Sequence, residues 1–227
     1  VEESLSYWFV IFNMKDELIG KNKKLRQALA AALPAQEWLQ IFKNGRGSVQ
    51  TEVSPPAILD RCGKSYRWSY DLNKAKTLLS EAGYPDGKGL ETLKFDLRGA
   101  SATERQLGEF IAKSYGKIGV NIEVIANTFP AYLDKAHKGN LQISKGGWVM
   151  DYPDAENNYQ LVYGPNKAPG PNDSNIDHIQ LNSLFEKMAL LPSGAERKKI
   201  ICEMEDIIQE ETPWAYGFYE TEYRLAQ

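Results

Sequence analysis

Apolar positions along this chain follow two periods, and the alternation between them sets the expected fold. YWFVIFN at 7–13 is a continuous apolar run with the length and aromatic content of a buried strand. In KNKKLRQALAAAL, 21–33, Leu25, Ala28, Leu29, Ala32 and Leu33 return on one helical face. The first turn of that helix is basic, which opposes the helix dipole and has no local explanation. Residues 44–60 read as a loop, because Pro55-Pro56 cannot join a regular hydrogen-bond ladder. A clearer helix covers 71–83. Asp71 is its N-cap, Leu72, Ala75, Leu78, Leu79 and Ala82 form its stripe, and Gly83 takes the left-handed position beyond its end, with Pro85 following.

A regular alternation comes next. LKFDL (93–97) is a strand, and 103–119 is a helix with Thr103 and Gln106 spaced as a capping box. NIEVIA (121–126) is a strand, 130–139 a helix and LQIS (141–144) a strand. Short links between such elements imply parallel pairing through right-handed crossovers. Helices over 175–191 and 193–211 follow, the second with Ser193 and Glu196 as a capping box, and a strand over 213–226 closes the chain. The expected class is α/β, with a mixed, partly parallel sheet flanked by helices.

Composition excludes more than it suggests. The chain has 227 residues, 42% hydrophobic and 25% charged, with a net charge of −3 and both signs interspersed. No basic face points to nucleic acid. A chain of this length buries roughly 70–75% of its unfolded surface and needs no metal or disulfide staple. The longest apolar run, ALAAAL at 28–33, falls far short of the ~20 residues of a membrane helix. Cys62 and Cys202 are in no metal-ligand spacing and neither demand nor exclude a disulfide. His137 and His178 are too far apart in sequence to suggest a metal site or a His-based triad. The abrupt opening on a strand-like run suggests a piece of a longer chain, so the lack of a signal peptide carries no weight.

The candidate chemistry gathers in GGWVMDYPDAENN, 146–158, just past the strand at 141–144. Ligands of open parallel sheets bind beyond the carboxyl ends of the strands. Asp151 is the acid of interest, with Trp148 placed to shield an ion pair from water; equally, Asp151 caps a loop and Trp148 is core. Asp154 and Glu156 offer a carboxylate pair of the glycosidase kind, which needs two carboxyl groups roughly 5–10 Å apart in different environments. Alternatively, Asp154 caps a short helical turn. Arg98 stands at the end of the neighbouring strand, where a guanidinium can grip a carboxylate with two parallel hydrogen bonds. It can also be solvated or paired with Glu104. GRGS and PDGKG match no phosphate-binding loop. The Pro-, Gly- and Asn-rich stretch 164–175 is either a fixed irregular loop or a border of the cleft.

Several pieces, in this order, carry a family resemblance: FNMK, LRQALA, YDLNKAKTLLSEAGYPDG, KIGVNIEV, GGWVMDYPDAEN, the ER at 196–197 and DIIQEETPW. The chain resembles the C-terminal lobe of family 5 extracellular solute-binding proteins, the oligopeptide- and dipeptide-binding components of ABC importers. The resemblance implies a periplasmic-binding-protein-like lobe over 1–227, half of a clamshell whose N-terminal lobe lies outside this chain. It also implies binding without catalysis, no cofactor, a peptide ligand and permease partners. The implied location is periplasmic or extracytoplasmic, peripheral to the membrane, with or without a lipid anchor. In peptide-binding members the Asp of the GWxxD motif meets the ligand's α-amino group. Here the motif is Gly147-Trp148-Val149-Met150-Asp151, which makes Asp151 the ammonium anchor and Trp148 its wall. Arg98 stands where some dipeptide-binding relatives hold the ligand carboxylate. The resemblance leaves open a receptor for a nickel complex, an opine or a sugar. A ligand-sensing domain of a bacterial regulator has similar architecture, and a hydrolase using Asp151 with Asp154 or Glu156 is the third reading.

Overall fold

Strand β1 (Glu2–Phe12) is third in a six-stranded sheet ordered β2-β6-β1-β5-β3-β4. The computed structural model describes residues 2–222. β3 (Leu93–Leu97) lies parallel to both β4 (Ile122–Ala126) and β5 (Ile143–Val149), the unit expected from the alternation. β1 runs antiparallel to β5 and to β6 (Trp214–Glu222), and the short β2 (Gly47–Val49) adds antiparallel to β6. The sheet is therefore mixed, with its parallel half joined to its antiparallel half along β1.

That junction needs space. Cross-strand pairing sets Trp8 opposite Gly147 and Phe9 opposite Gly146. A Cβ on Gly146 would lie 2.4 Å from the Phe9 ring, and one on Gly147 2.3 Å from the Trp8 ring. Only residues without a side chain let the two aromatic rings lie across β5. Phe9 then stacks on Trp214 with ring centroids 4.1 Å apart.

Helices cover the sheet: α1 (Lys23–Ala32), α2 (Ala35–Lys43), α3 (Leu72–Glu81), α4 (Ala102–Gly116), α5 (Phe129–His137), α6 (Ala155–Tyr159), α7 (Ile179–Ala189) and α8 (Ala195–Glu211). Asp71 caps α3 by accepting from the Asn73 and Lys74 amides, and Gly83 turns left-handed beyond its end. The basic start of α1 has a tertiary cause. Lys23 pairs with Glu210 at 2.9 Å and Lys24 with Glu81 at 2.7 Å. Arg26, 1% exposed, donates to the Ile19 and Gly20 carbonyls and twice to the Glu211 carbonyl, so it satisfies the C-terminus of α8.

Several boundaries differ from the sequence expectation. Residues 47–49, expected in a loop, form β2, because Gly47 to Val49 find a partner in β6. α4 is capped by Ser101, whose Oγ accepts from the Glu104 amide, so Thr103 lies inside the helix. α8 has no side-chain cap; the Ser193 hydroxyl donates instead to Asp60 at 2.7 Å. α7 starts at Ile179, with His178 as its cap. β5 runs on through Gly146–Val149 rather than ending at 144. The expected last strand over 213–226 begins as β6, and residues 223–226 lie outside the described residues. Cys62 and Cys202 are disulfide-bonded, with Cα atoms 5.0 Å apart, which ties the 50–70 segment to α8.

The interior is not wholly apolar. Glu205 of α8 is fully buried and accepts from Tyr216 Oη (2.6 Å), Tyr159 Oη (3.1 Å), the Val53 amide (3.1 Å) and Gln209 Nε2 (3.2 Å). Burial pushes its carboxyl up to about 7, against the pull of these donors. A raised acid binds its proton more tightly in the folded state, so its contribution is full below the ordinary value of 4.5 and is lost as pH rises through about 7. Urea denaturation between pH 4.5 and 8 should show Glu205→Gln removing a decline of up to about 3 kcal/mol across that window. An unchanged slope in the variant would contradict the assignment.

Candidate functional site

β5 delivers Trp148 to its carboxyl end, and the chain turns through 150–154 into α6. One side chain organises this turn. Asn157, 1% exposed, accepts from the Trp148 indole nitrogen at 2.8 Å and from the Asp151 amide at 3.2 Å. Its own amide reaches Asp151 Oδ2 at 3.4 Å. Trp148 is thus held half-buried while the Asp151 carboxylate stays exposed.

The neighbouring acids are used differently. Asp154 caps α6 by accepting from the Glu156 amide at 2.8 Å, and both its oxygens meet the Arg197 guanidinium. Arg197 holds the Asp154 carboxyl below the usual carboxylate range and also pairs with Asp60 at 3.2 Å. Glu156 accepts from Tyr152 Oη at 3.3 Å. Asp154 is committed to the fold, which removes it from the carboxylate pairs that the sequence offered.

Between β1, β5 and the 163–176 loop lies a recess of about 110 Å³. Phe9, Gly146 and Gly147 line its sheet side, and Trp148 and Trp214 stand beside them. Two charged residues also line it, Arg98 and Asp173. Arg98 follows β3, and its guanidinium lies over the Tyr132 ring, 5.4 Å from the centroid. The Arg98 Nε is buried without a hydrogen-bond partner. Glu104, the acid closest in sequence, pairs with Lys145 at 2.7 Å instead. Among the described residues Arg98 forms no ion pair. Burial raises the Asp173 carboxyl, while Arg98 and then His137 draw it down.

The loop that presents Asp173 is fixed. Asn172, fully buried, donates to the Tyr163 and Ile176 carbonyls at 3.0 and 2.9 Å. Asn175 donates to Asn13 Oδ1 at 3.0 Å, and the Met14 amide donates to the Ser174 carbonyl at 2.8 Å. Of the residues expected from sequence, Gly147, Trp148 and Arg98 line one recess. Asp151 is not part of its lining and is linked to it through Asn157 and Trp148. Asn157 and Asp173 are the residues that sequence reasoning missed. For Asp173 the available signal was its place in PGPNDSN, within the irregular loop that can border the cleft.

The sequence profile of the bacterial extracellular solute-binding proteins, family 5 Middle, matches residues 1–170. Heme-binding protein A of Haemophilus influenzae is 26% identical over 216 residues, covering 94% of this chain and 39% of that protein. The dipeptide-binding protein of Escherichia coli is 25% identical over 160 residues, covering 70% of this chain and 30% of that protein. This chain therefore spans well under half the length of these relatives. Among solved structures, HbpA2 from Haemophilus parasuis superposes with a TM-score of 0.88 at 24% identity, over 96% of this chain and 43% of that one. The periplasmic binding protein DppA from Helicobacter pylori, in complex with peptide STSA, gives 0.85 at 23% identity, over 97% of this chain and 43% of that one. These likenesses fix the fold.

Asn157→Ala should leave the Trp148 indole and the Asp151 amide without their acceptor. A loss of about 1–3 kcal/mol in urea denaturation is expected, with increased quenching of Trp148 fluorescence. Stability within a few tenths of wild type would mean that Asn157 does not hold the turn.

Proposed function

The chain belongs to the bacterial extracellular solute-binding proteins of family 5, and on that premise we propose that the intact protein is the substrate-binding component of an ABC-type importer that takes short peptides. In this reading residues 1–227 form the C-terminal lobe, and the ligand lies between it and an N-terminal lobe. The observation that carries the proposal is the exposed Asp151 carboxylate, fixed by the same Asn157 that fixes Trp148. Asp151 receives the peptide's α-ammonium, Trp148 and Gly147 form the adjoining wall, and Arg98 offers donors to a carboxylate. A carboxylate meeting an ammonium is worth about 1.5–3 kcal/mol net.

The protein binds and does not transform its ligand. Contacts from both lobes favour the closed state, and only that differential affinity drives closure. The closed form then docks on a membrane permease. An extracytoplasmic location suits the Cys62–Cys202 disulfide, since such bonds persist in oxidising compartments. Separated from the other lobe, this one retains half of the ligand contacts and binds weakly.

Native mass spectrometry of the full-length protein, beside its Asp151→Asn variant, tests this. A ladder of co-purifying peptide masses is expected, with affinity falling roughly 10- to 150-fold in the variant. A single non-peptide mass, or unchanged retention by the variant, would overturn the ammonium anchor.

A further inference from the structure

Acids packed into this protein are almost all answered by a cation or by amides. Glu52 pairs with Arg61 at 2.9 Å and accepts the Cys62 amide at 2.8 Å. Asp60 takes Ser193 and Arg197, and Asp96 takes Asn127 and Lys135. Glu205 has four donors. Asp173 differs: among the described residues no donor reaches its carboxylate, although burial already penalises its charge. Arg98, which lines the same recess, likewise forms no ion pair among the described residues and leaves Nε unsatisfied. Leaving the buried Arg98 Nε unpaired costs free energy that a bound acceptor would recover, and the half-buried Asp173 carboxylate beside it has no cation of its own.

The two charges do not close on each other. The bonds of Asn172, Ser174 and Asn175 to Tyr163, Met14 and Asn13 fix the loop around Asp173, and Arg98 lies against Tyr132. The recess, about 110 Å³, is small beside the roughly 300–1,000 Å³ of a typical ligand pocket, and so suits the end groups of a ligand rather than its body. Its wall carries one cation and one anion. A ligand that brings only a carboxylate to Arg98 also brings it towards Asp173, a like charge. One that brings a donor as well satisfies both.

We propose that Asp173 is a specificity-determining residue of the ligand cleft: it requires a hydrogen-bond donor, best a cationic group, beside the carboxylate that Arg98 takes, so that the site favours short peptides with a basic C-terminal residue over those with an acidic one. This rests on the peptide reading given above. The neutral dipeptide falls between the two, because it satisfies Arg98 and leaves Asp173 unanswered. Asp173 acts here by direct contact with the ligand, and the rigid loop keeps its position independent of occupancy.

Calorimetric titration of the full-length protein with Ala-Lys, Ala-Ala and Ala-Glu tests the inference. Wild type should bind in that order, with about tenfold or more between the first and the last. Asp173→Asn, nearly isosteric, should flatten the Ala-Lys to Ala-Glu ratio to within about threefold, and Asp173→Ser should do the same. A wild-type protein that binds the three equally, or variants that keep the full ratio, would overturn the role of Asp173 while leaving the peptide reading intact. Failure of all three peptides to bind would bring down the peptide reading, and this inference with it.

Discussion

β1 joins the two halves of the sheet only because Gly146 and Gly147 carry no side chains where Phe9 and Trp8 cross β5. The parallel unit of β3, β4 and β5 is built from consecutive segments and local crossovers. Two of the antiparallel strands, β1 and β6, come from the two ends of the described chain. Their seam is the β1–β5 pairing, where two large rings face two glycines. Any side chain at either glycine would have to displace an aromatic ring already packed against Trp214 or bonded to Glu220. The same two glycines form the sheet side of the recess, so the constraint that completes the sheet also opens the cleft.

α8 carries the next layer of order. Arg26 satisfies its last turn, Cys202 ties it to Cys62, and Glu205 gathers two tyrosines, Gln209 and the Val53 amide. Near its start, Arg197 reaches Asp154 and Asp60. One helix therefore braces the turn that follows β5 and the loop before α3. This is the support that a binding site needs, because groups that meet a ligand act at full strength only when held in place beforehand.

The acids of this protein sort by partner, and the sorting separates fold from function. Asp154, Asp60, Asp96, Glu52 and Glu205 are consumed by arginines, lysines, amides or hydroxyls within the chain. Asp151 meets only the Asn157 amide, at 3.4 Å, and Asp173 meets no cation within 4 Å among the described residues. The first is exposed on a turn that Asn157 fixes, and the second lines the same recess as Arg98, which forms no ion pair among the described residues. On the proposed reading, both are left to hold charged groups of a ligand.

The sequence by itself determined the elements whose causes are local. Asp71 and Gly83 mark the ends of α3 through their own backbone chemistry, and the strand and helix periods place β3, α4, β4 and α5. The aromatic and acid of GGWVMD mark Trp148 and Asp151 as a candidate site through residue type and spacing alone. What the tertiary structure decided depends on residues far apart in the chain. Gly146 and Gly147 weaken local strand propensity, so β5 extends through them only because β1 lies alongside. Ser101 rather than Thr103 caps α4, a choice between two equally plausible hydroxyls. The basic start of α1 makes sense only beside Glu81, Glu210 and Glu211. The pairing of Cys62 with Cys202, the hold of Asn157 on Trp148 and the placing of Arg98 and Asp173 in one recess all depend on the assembled fold. Their partners are brought together by the fold, and distance in space, which sets every one of these interactions, is not written in any local pattern.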